Sequence, residues 1–316
     1  MSNSIPSIDL ADFTSNDQAR KEAFVSQLGQ AYEDIGFVAV KNHGLTNSQS
    51  ELLYQQVEAF FNLPANQKKE YEIEGLAGQR GYTSFGKEHA KGRNTGDLKE
   101  FWHFGQYVED GDTIAQEYPN NVSVKELKEF DGIGKKVYQT LENAGKEMLR
   151  AIALYLGLAE TYFDAKIHNG NSILRPIHYP PITNEPKDAV RAAEHEDINL
   201  ITLLMGASAE GLQVLNKNNE WISVTALPNQ IVVNVGDMLQ RLTNNQLKST
   251  THRVVNPPRE KWSQSRFSIP FFLHPRSEMR LDCLTACCTE GRPPLYSDIS
   301  AGEYLNERLA EIGLKK

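Results

Sequence analysis

Through the first half of the chain, apolar residues recur at three- and four-residue intervals, the spacing of one face of a helix. Phe24, Leu28 and Tyr32 mark one such helix, capped by Asn16-Asp17 and stopped by Gly36. Asn47 to Phe61 marks a second, ending before Pro64, and Val137, Leu141, Met148, Ile152 and Leu156 mark a third, from about Val124 to Gly157. Between them, Ile5 to Leu10 reads as an edge strand, and Phe37 to Lys41 as a strand leading into the turn Asn42-His43-Gly44. Residues 75 to 97 are rich in Gly, Arg, Lys and Asn and lack a period, which predicts a long ordered loop of the kind that carries function.

From Ile173 the pattern changes to short apolar runs: Asn199–Leu204, Gln213–Leu215, Ile231–Val235, Thr250–Val255 and Phe267–Leu273. Turn signals separate them at Gly206, Asn216–Asn219, Gly236-Asp237, Asn244-Asn245 and Asn256–Pro258. That rhythm belongs to an antiparallel sandwich or jelly roll, not to alternating βαβ units. The fold class is therefore mixed α/β of the α+β kind, with a helix-rich amino-terminal half around a β core and a last helix near Ala301 to Ile312.

The 316 residues, 40% hydrophobic and 23% charged, are enough for a full core. A formal charge of -8 with no basic run excludes nucleic-acid phosphate and anionic lipid as partners. No signal peptide and no membrane-length apolar stretch is visible, so a cytoplasmic protein acting on a small molecule is expected. Cys283, Cys287 and Cys288 are too few and too crowded for a disulfide framework, and read as reduced, packed thiols.

Several generic motifs fail. Gly132-Ile-Gly134 lacks the third glycine of a dinucleotide loop, and no phosphate-binding loop occurs. Gly206 to Gly211 has one residue too many for a nucleophile elbow, and Asn199 stands where a zinc-protease helix after His195-Glu196 needs histidine.

What survives among the eight histidines is His195-Glu196-Asp197 with His252 in a later β run. At a strand end, residues two apart share a side, so His195 and Asp197 converge while Glu196 points away. Two imidazoles and one carboxylate make the facial triad that holds Fe(II) and leaves coordination positions open. In the next β run, Arg266 and Ser268 put a guanidinium and a hydroxyl on one face, donors suited to a carboxylate.

Taken together, Ile177-His-Tyr-Pro-Pro181, His195-x-Asp197, Gly211-Leu-Gln-Val214, Trp221, Pro228, Val233–Asp237, Leu239–Asn244, His252-Arg253 and Arg266-x-Ser268 resemble the isopenicillin N synthase-like branch of the Fe(II)/2-oxoglutarate-dependent dioxygenases. Ile5–Asp9, Gly36-Phe37 and Asn42–Gly44 are similar to that family's amino-terminal region. The resemblance implies a double-stranded β-helix core over residues 171–280, a non-haem dioxygenase region over 1–120, a long helical support over 121–170 and a carboxyl-terminal segment with its helix over 281–316.

It further implies that His195, Asp197 and His252 bind iron, that Arg266 and Ser268 bind the distal carboxylate of 2-oxoglutarate, and that Tyr179 helps hold this co-substrate. O2 would be the oxidant and ascorbate a candidate reductant. The implied activity is oxidation of a small organic substrate, foremost hydroxylation, with 2-oxoglutarate decarboxylated to succinate and CO2. The sequence departs from the family at Ile177, where many members have asparagine, and in a longer spacing from His252 to Arg266, which the Asn256–Trp262 turn absorbs.

Arg80, Tyr82, Lys99, Phe101, Trp102, Arg175 and Phe271 are the expected lining of the substrate side. His43 reads as structural, and His89, His103, His168, His178 and His274 as surface or hydrogen-bonded residues. Two other functions fit the same residues: a 2-oxoglutarate-independent iron oxidase of the isopenicillin N synthase or aminocyclopropane carboxylate oxidase type, and a β-helix binding protein without catalysis.

Overall fold

A computed structural model describes residues 5–76, 78–89, 95–108, 111–224 and 229–312. Pro228 and parts of the 75–97 loop lie outside these residues. Two sheets form the β core. The larger has nine strands among the described residues: Ser7–Asp9 pairs parallel with Phe37–Lys41, and antiparallel pairing then runs through Ile231–Val235, Ile201–Met205 and Arg266–Leu273. Beyond Arg266–Leu273 come Ile173–Leu174, Ile177–Tyr179, Glu100–Gly105 and Gly81–Thr83. The smaller sheet orders Trp221–Ser223, Leu212–Leu215, His252–Val254 and Ala192–His195.

Alternation decides what each sheet face does. On Ile231–Val235, Val233 and Val235 join the main core, whereas Val232 packs with Phe37, Leu212 and Val214 between the sheets. The main core is covered by the helix Phe130–Tyr155, whose buried stripe includes Val137, Leu141, Met148 and Ile152 as its period predicts. Gly145 lets that helix approach the sheet closely, since a Cβ there would meet Leu273 at 2.3 Å.

Gln18–Asp34 and Asn47–Phe61 match the predicted helices, the second closed by a capping box between Thr46 and Gln49. Where elements differ from expectation, three have a visible cause. The long helix starts at Phe130, not near Val124, because side chains bind the preceding amides: Val124 N–H donates to Asp131 and Lys125 N–H to the Tyr71 hydroxyl. The strand predicted from Asn199 begins at Ile201, because the buried Asn199 amide turns to donate to the Ile201 carbonyl and Thr202. The predicted loop contains the strand Gly81–Thr83, which pairs with Glu100–Gly105. All three cysteines are free thiols, as expected, and no described helix is long and apolar enough to cross a membrane.

Candidate active site

His195 ends the strand Ala192–His195, and Asp197 follows in the turn after it. His252 opens the neighbouring strand and lies opposite His195 in register. Their chemistry converges: one ligand atom from each of His195, Asp197 and His252 lies within 4.8 Å of the others. Asp197 Oδ1 is 4.0 Å from His195 Nε2 and 3.6 Å from His252 Nε2.

The surroundings set which atoms are available. Each imidazole gives its Nδ1–H to a backbone carbonyl, His195 to Ala193 at 2.7 Å and His252 to Thr250 at 3.0 Å, so each Nε2 keeps its lone pair. Asp197 Oδ2 accepts from Thr202 Oγ1 at 2.6 Å and Asn234 Nδ2 at 2.8 Å, leaving Oδ1 turned to the histidines. Thr202 and Asn234 are themselves cross-strand partners. Burial raises the cost of charge on Asp197, but the two imidazoles and these donors outweigh it and hold its pKa below the ordinary carboxylate range. Burial, then the neighbouring His252, pushes the His195 imidazole down to about 4. Two neutral nitrogens and one anionic oxygen suit a divalent cation. Glu196 is exposed and outside this cluster, accepting from Thr251.

A cavity of about 510 Å³ opens on the triad from between the sheets. Arg266, Ser268, Pro270, Phe272 and His274 line it in alternation along one strand and the residue after it. Arg266 is 1% exposed, donates Nε to the Ala209 carbonyl, and has an Nη1 with no hydrogen-bond partner. Tyr179 pairs with it in register, its ring 5.0 Å from the guanidinium, and Ser268 lies opposite Ile177. A buried guanidinium with an unused donor calls for an anion, so this donor set fits a carboxylate.

The expected substrate residues divide. Lys99 and Arg175 line the cavity in a buried ionic network: Lys99 binds Glu88 at 2.7 Å and Asp97 at 2.9 Å, and Arg175 binds Glu88 at 3.2 Å. Against the cost of burial, Arg175 and Lys99 hold the Glu88 carboxyl far below its ordinary range. The other five are corrections. Arg80 is buried away from the cavity, where desolvation lowers its pKa among Tyr138, Tyr118 and Tyr107. Tyr82 donates to Glu100 inside a buried cluster with Lys68 and His178. Trp102 is a core ring packed on Phe60 and Phe130. Phe101 backs Arg175 from behind, 4.4 Å from its guanidinium. Phe271 packs on Tyr138 in the helix-covered core, and its neighbour Phe272 faces the cavity instead.

Residues missed by the sequence reading include Thr202, Asn234, Phe272 and His274. Continuing the alternation of Arg266 and Ser268 two and three steps further predicts the last two. His274 is buried with an unpartnered Nδ1, and burial pushes its imidazole down to about 4.

Known proteins give the same answer. Residues 5–126 match the model described as non-haem dioxygenase in morphine synthesis N-terminal, and residues 170–275 match the 2OG-Fe(II) oxygenase superfamily. A solved 2OG-Fe(II) oxygenase family protein from Caulobacter crescentus is 40% identical, covering 98% of this chain and 100% of that one, with a TM-score of 0.87. The chain belongs to the Fe(II)/2-oxoglutarate-dependent dioxygenases. A second solved structure, a full-length Neurospora crassa protein in complex with alpha-KG and thymine, is 31% identical over 97% of this chain and 96% of that one, with a TM-score of 0.85. The 2-oxoglutarate-Fe(II) type oxidoreductase hxnY of Emericella nidulans is 28% identical, covering 95% of this chain and 88% of its own length. As a dioxygenase of this family, the protein uses Fe(II) and 2-oxoglutarate on a jelly-roll scaffold.

Proposed function

We propose that this dioxygenase, a member of the isopenicillin N synthase-like branch, hydroxylates a small polar organic molecule in the cytoplasm, with no nucleic-acid or membrane partner. One observation carries the reading. A single strand face lines the cavity beside the triad, running from Arg266, whose Nη1 lacks a hydrogen-bond partner, to Phe272 and His274. The cavity is of the size that holds small molecules.

In this reading His195 Nε2, Asp197 Oδ1 and His252 Nε2 hold the metal. Fe(II) held there would supply, with O2 as the oxidant, oxidative decarboxylation of 2-oxoglutarate to succinate and CO2 coupled to hydroxylation of the substrate, one oxygen atom going to succinate and the other to the hydroxylated product. Arg266 and Ser268 bind the distal carboxylate of the co-substrate, and the Tyr179 hydroxyl helps orient it. Thr202 and Asn234 keep Asp197 aimed. Arg175, already neutralised by Glu88, offers directional donors more than net charge, and its guanidinium lies 5.0 Å from the Phe272 ring. An apolar ring beside fixed polar donors favours a flat, polar substrate, which the thymine complex of the Neurospora crassa neighbour also supports.

Anaerobic titration of the Fe(II) protein with 2-oxoglutarate tests the reading. A visible metal-to-ligand charge-transfer band and, in air, succinate formation are expected. Absence of both overturns it in favour of a 2-oxoglutarate-independent oxidase. A panel of small polar ring compounds, monitored by coupled succinate release, then identifies the substrate.

A further inference from the structure

Arg191 immediately precedes the strand that carries His195, and only 2% of it is exposed. Its Nη2 donates to the Gln264 carbonyl at 3.0 Å, while its Nε is buried without a partner. Its guanidinium lies 5.9 Å from the Tyr179 ring, the same ring that Arg266 approaches to 5.0 Å. No carboxylate among the described residues forms an ion pair with either arginine; the charged group that most affects Arg191, after burial itself, is Arg266. Together these lower the Arg191 pKa to about 10, so it remains a cation at neutral pH.

Two buried, mutually repelling cations around one tyrosine are costly in the empty protein, and that cost falls when an anion arrives between or beside them. The triad cannot supply it, because Asp197 is committed to His195, His252, Thr202 and Asn234. We infer that Arg191 is the second cation of the co-substrate's carboxylate subsite: together with Arg266 around Tyr179, it sets the preference for a 2-oxo acid that carries a distal carboxylate. This rests on the assignment of Arg266 to that carboxylate. Arg191 does not line the cavity, so it is a positioning residue, acting through Tyr179 and through the field of its buried charge.

The test compares two ligands that differ only at the distal end. Anaerobic Fe(II) protein is titrated with 2-oxoglutarate and with 2-oxopentanoate, which lacks the second carboxylate, in the wild type and in Arg191→Met, Arg191→Lys and Arg266→Met. Arg191→Met is expected to weaken 2-oxoglutarate by about tenfold or more and to leave 2-oxopentanoate unchanged, with Arg191→Lys restoring most of the loss. Arg191→Gln, which keeps a donor for the Gln264 carbonyl, serves if the methionine variant does not fold. Equal weakening of both acids would mark a merely structural role and overturn the inference, as would no change in either. A wild type that binds no 2-oxoglutarate overturns the functional reading itself; one that binds it undiminished in Arg266→Met overturns the location of the subsite.

Discussion

His195 and His252 are cross-strand partners whose ring centroids lie 4.3 Å apart. At that separation two protonated imidazoles repel, and a shared cation is what makes their closeness favourable. His195→Ala and His252→Ala are each expected to lose Fe(II) on anaerobic reconstitution and to lose turnover by more than the roughly 100-fold that loss of an outer partner causes. Metal content by elemental analysis checks this, and full retention in either variant would show that the ligand is wrong.

Thr202 and Asn234 converge on one oxygen of Asp197. Thr202→Val and Asn234→Leu should each weaken Fe(II) by roughly 10- to 100-fold in a competition titration. The double variant should cost less than the product of the two, because both act on the same atom.

The orphaned Nη1 of Arg266 makes a different forecast. Arg266→Met should raise the KM for 2-oxoglutarate by roughly 10- to 100-fold, the loss of a charge-assisted hydrogen bond, with kcat at saturation changed far less. Steady-state succinate release separates the two parameters.

Phe271 and Phe272 are neighbours with opposite duties. Phe271→Ala opens the core against Tyr138 and should cost about 3–5 kcal/mol of stability in denaturant unfolding. Phe272→Ala should leave the unfolding midpoint nearly unchanged while raising the substrate KM and the fraction of 2-oxoglutarate consumed without product.

Acid stability should follow His274, held neutral with a pKa of about 4 against 6.5 for an ordinary imidazole. Between those values the unfolded chain binds the extra proton, so this contribution is fully present above pH 6.5 and is lost as the pH falls towards 4. The loss from this one group is at most about 3 kcal/mol. His274→Gln should flatten that part of the stability profile of the metal-free protein, as measured by urea unfolding at stepped pH.

The parts of the site legible in the sequence were those fixed by short-range geometry. His195 and Asp197 lie two residues apart at a strand end, and Arg266 and Ser268 two apart within a strand, so local alternation alone puts each pair on one side. His252, far along the chain, completes a facial triad by its chemistry, and the family resemblance implies its role as a ligand. Phe271 is out of step with Arg266 and Ser268, so the same alternation puts it on the face that the helix Phe130–Tyr155 covers. The aromatic run Phe101–Phe104 holds no such anchor, and only packing on Phe60 and Phe130 shows that Trp102 is core. Arg80 misled because buried, unpaired arginine is rare, while Glu88 and Asp97 sat in a stretch whose composition hides its order. Thr202 and Asn234 are ordinary strand residues until register places them side by side.

The strand Arg266–Leu273 leaves no room for a change of length. One residue gained or lost inside it would send Arg266 and Ser268 into the hydrophobic interior and bring Phe267, Ile269 and Phe271 to the cavity, ending folding and catalysis at one stroke. The turn before it behaves otherwise: Asn256–Trp262 is tied to itself by Trp262 Nε1 donating to the Pro257 carbonyl, and to its neighbour by Ile182 N–H donating to the Trp262 carbonyl. Heritable variation in length therefore has a tolerated address a few residues upstream of an intolerant one, and the chemistry can persist while the loop drifts.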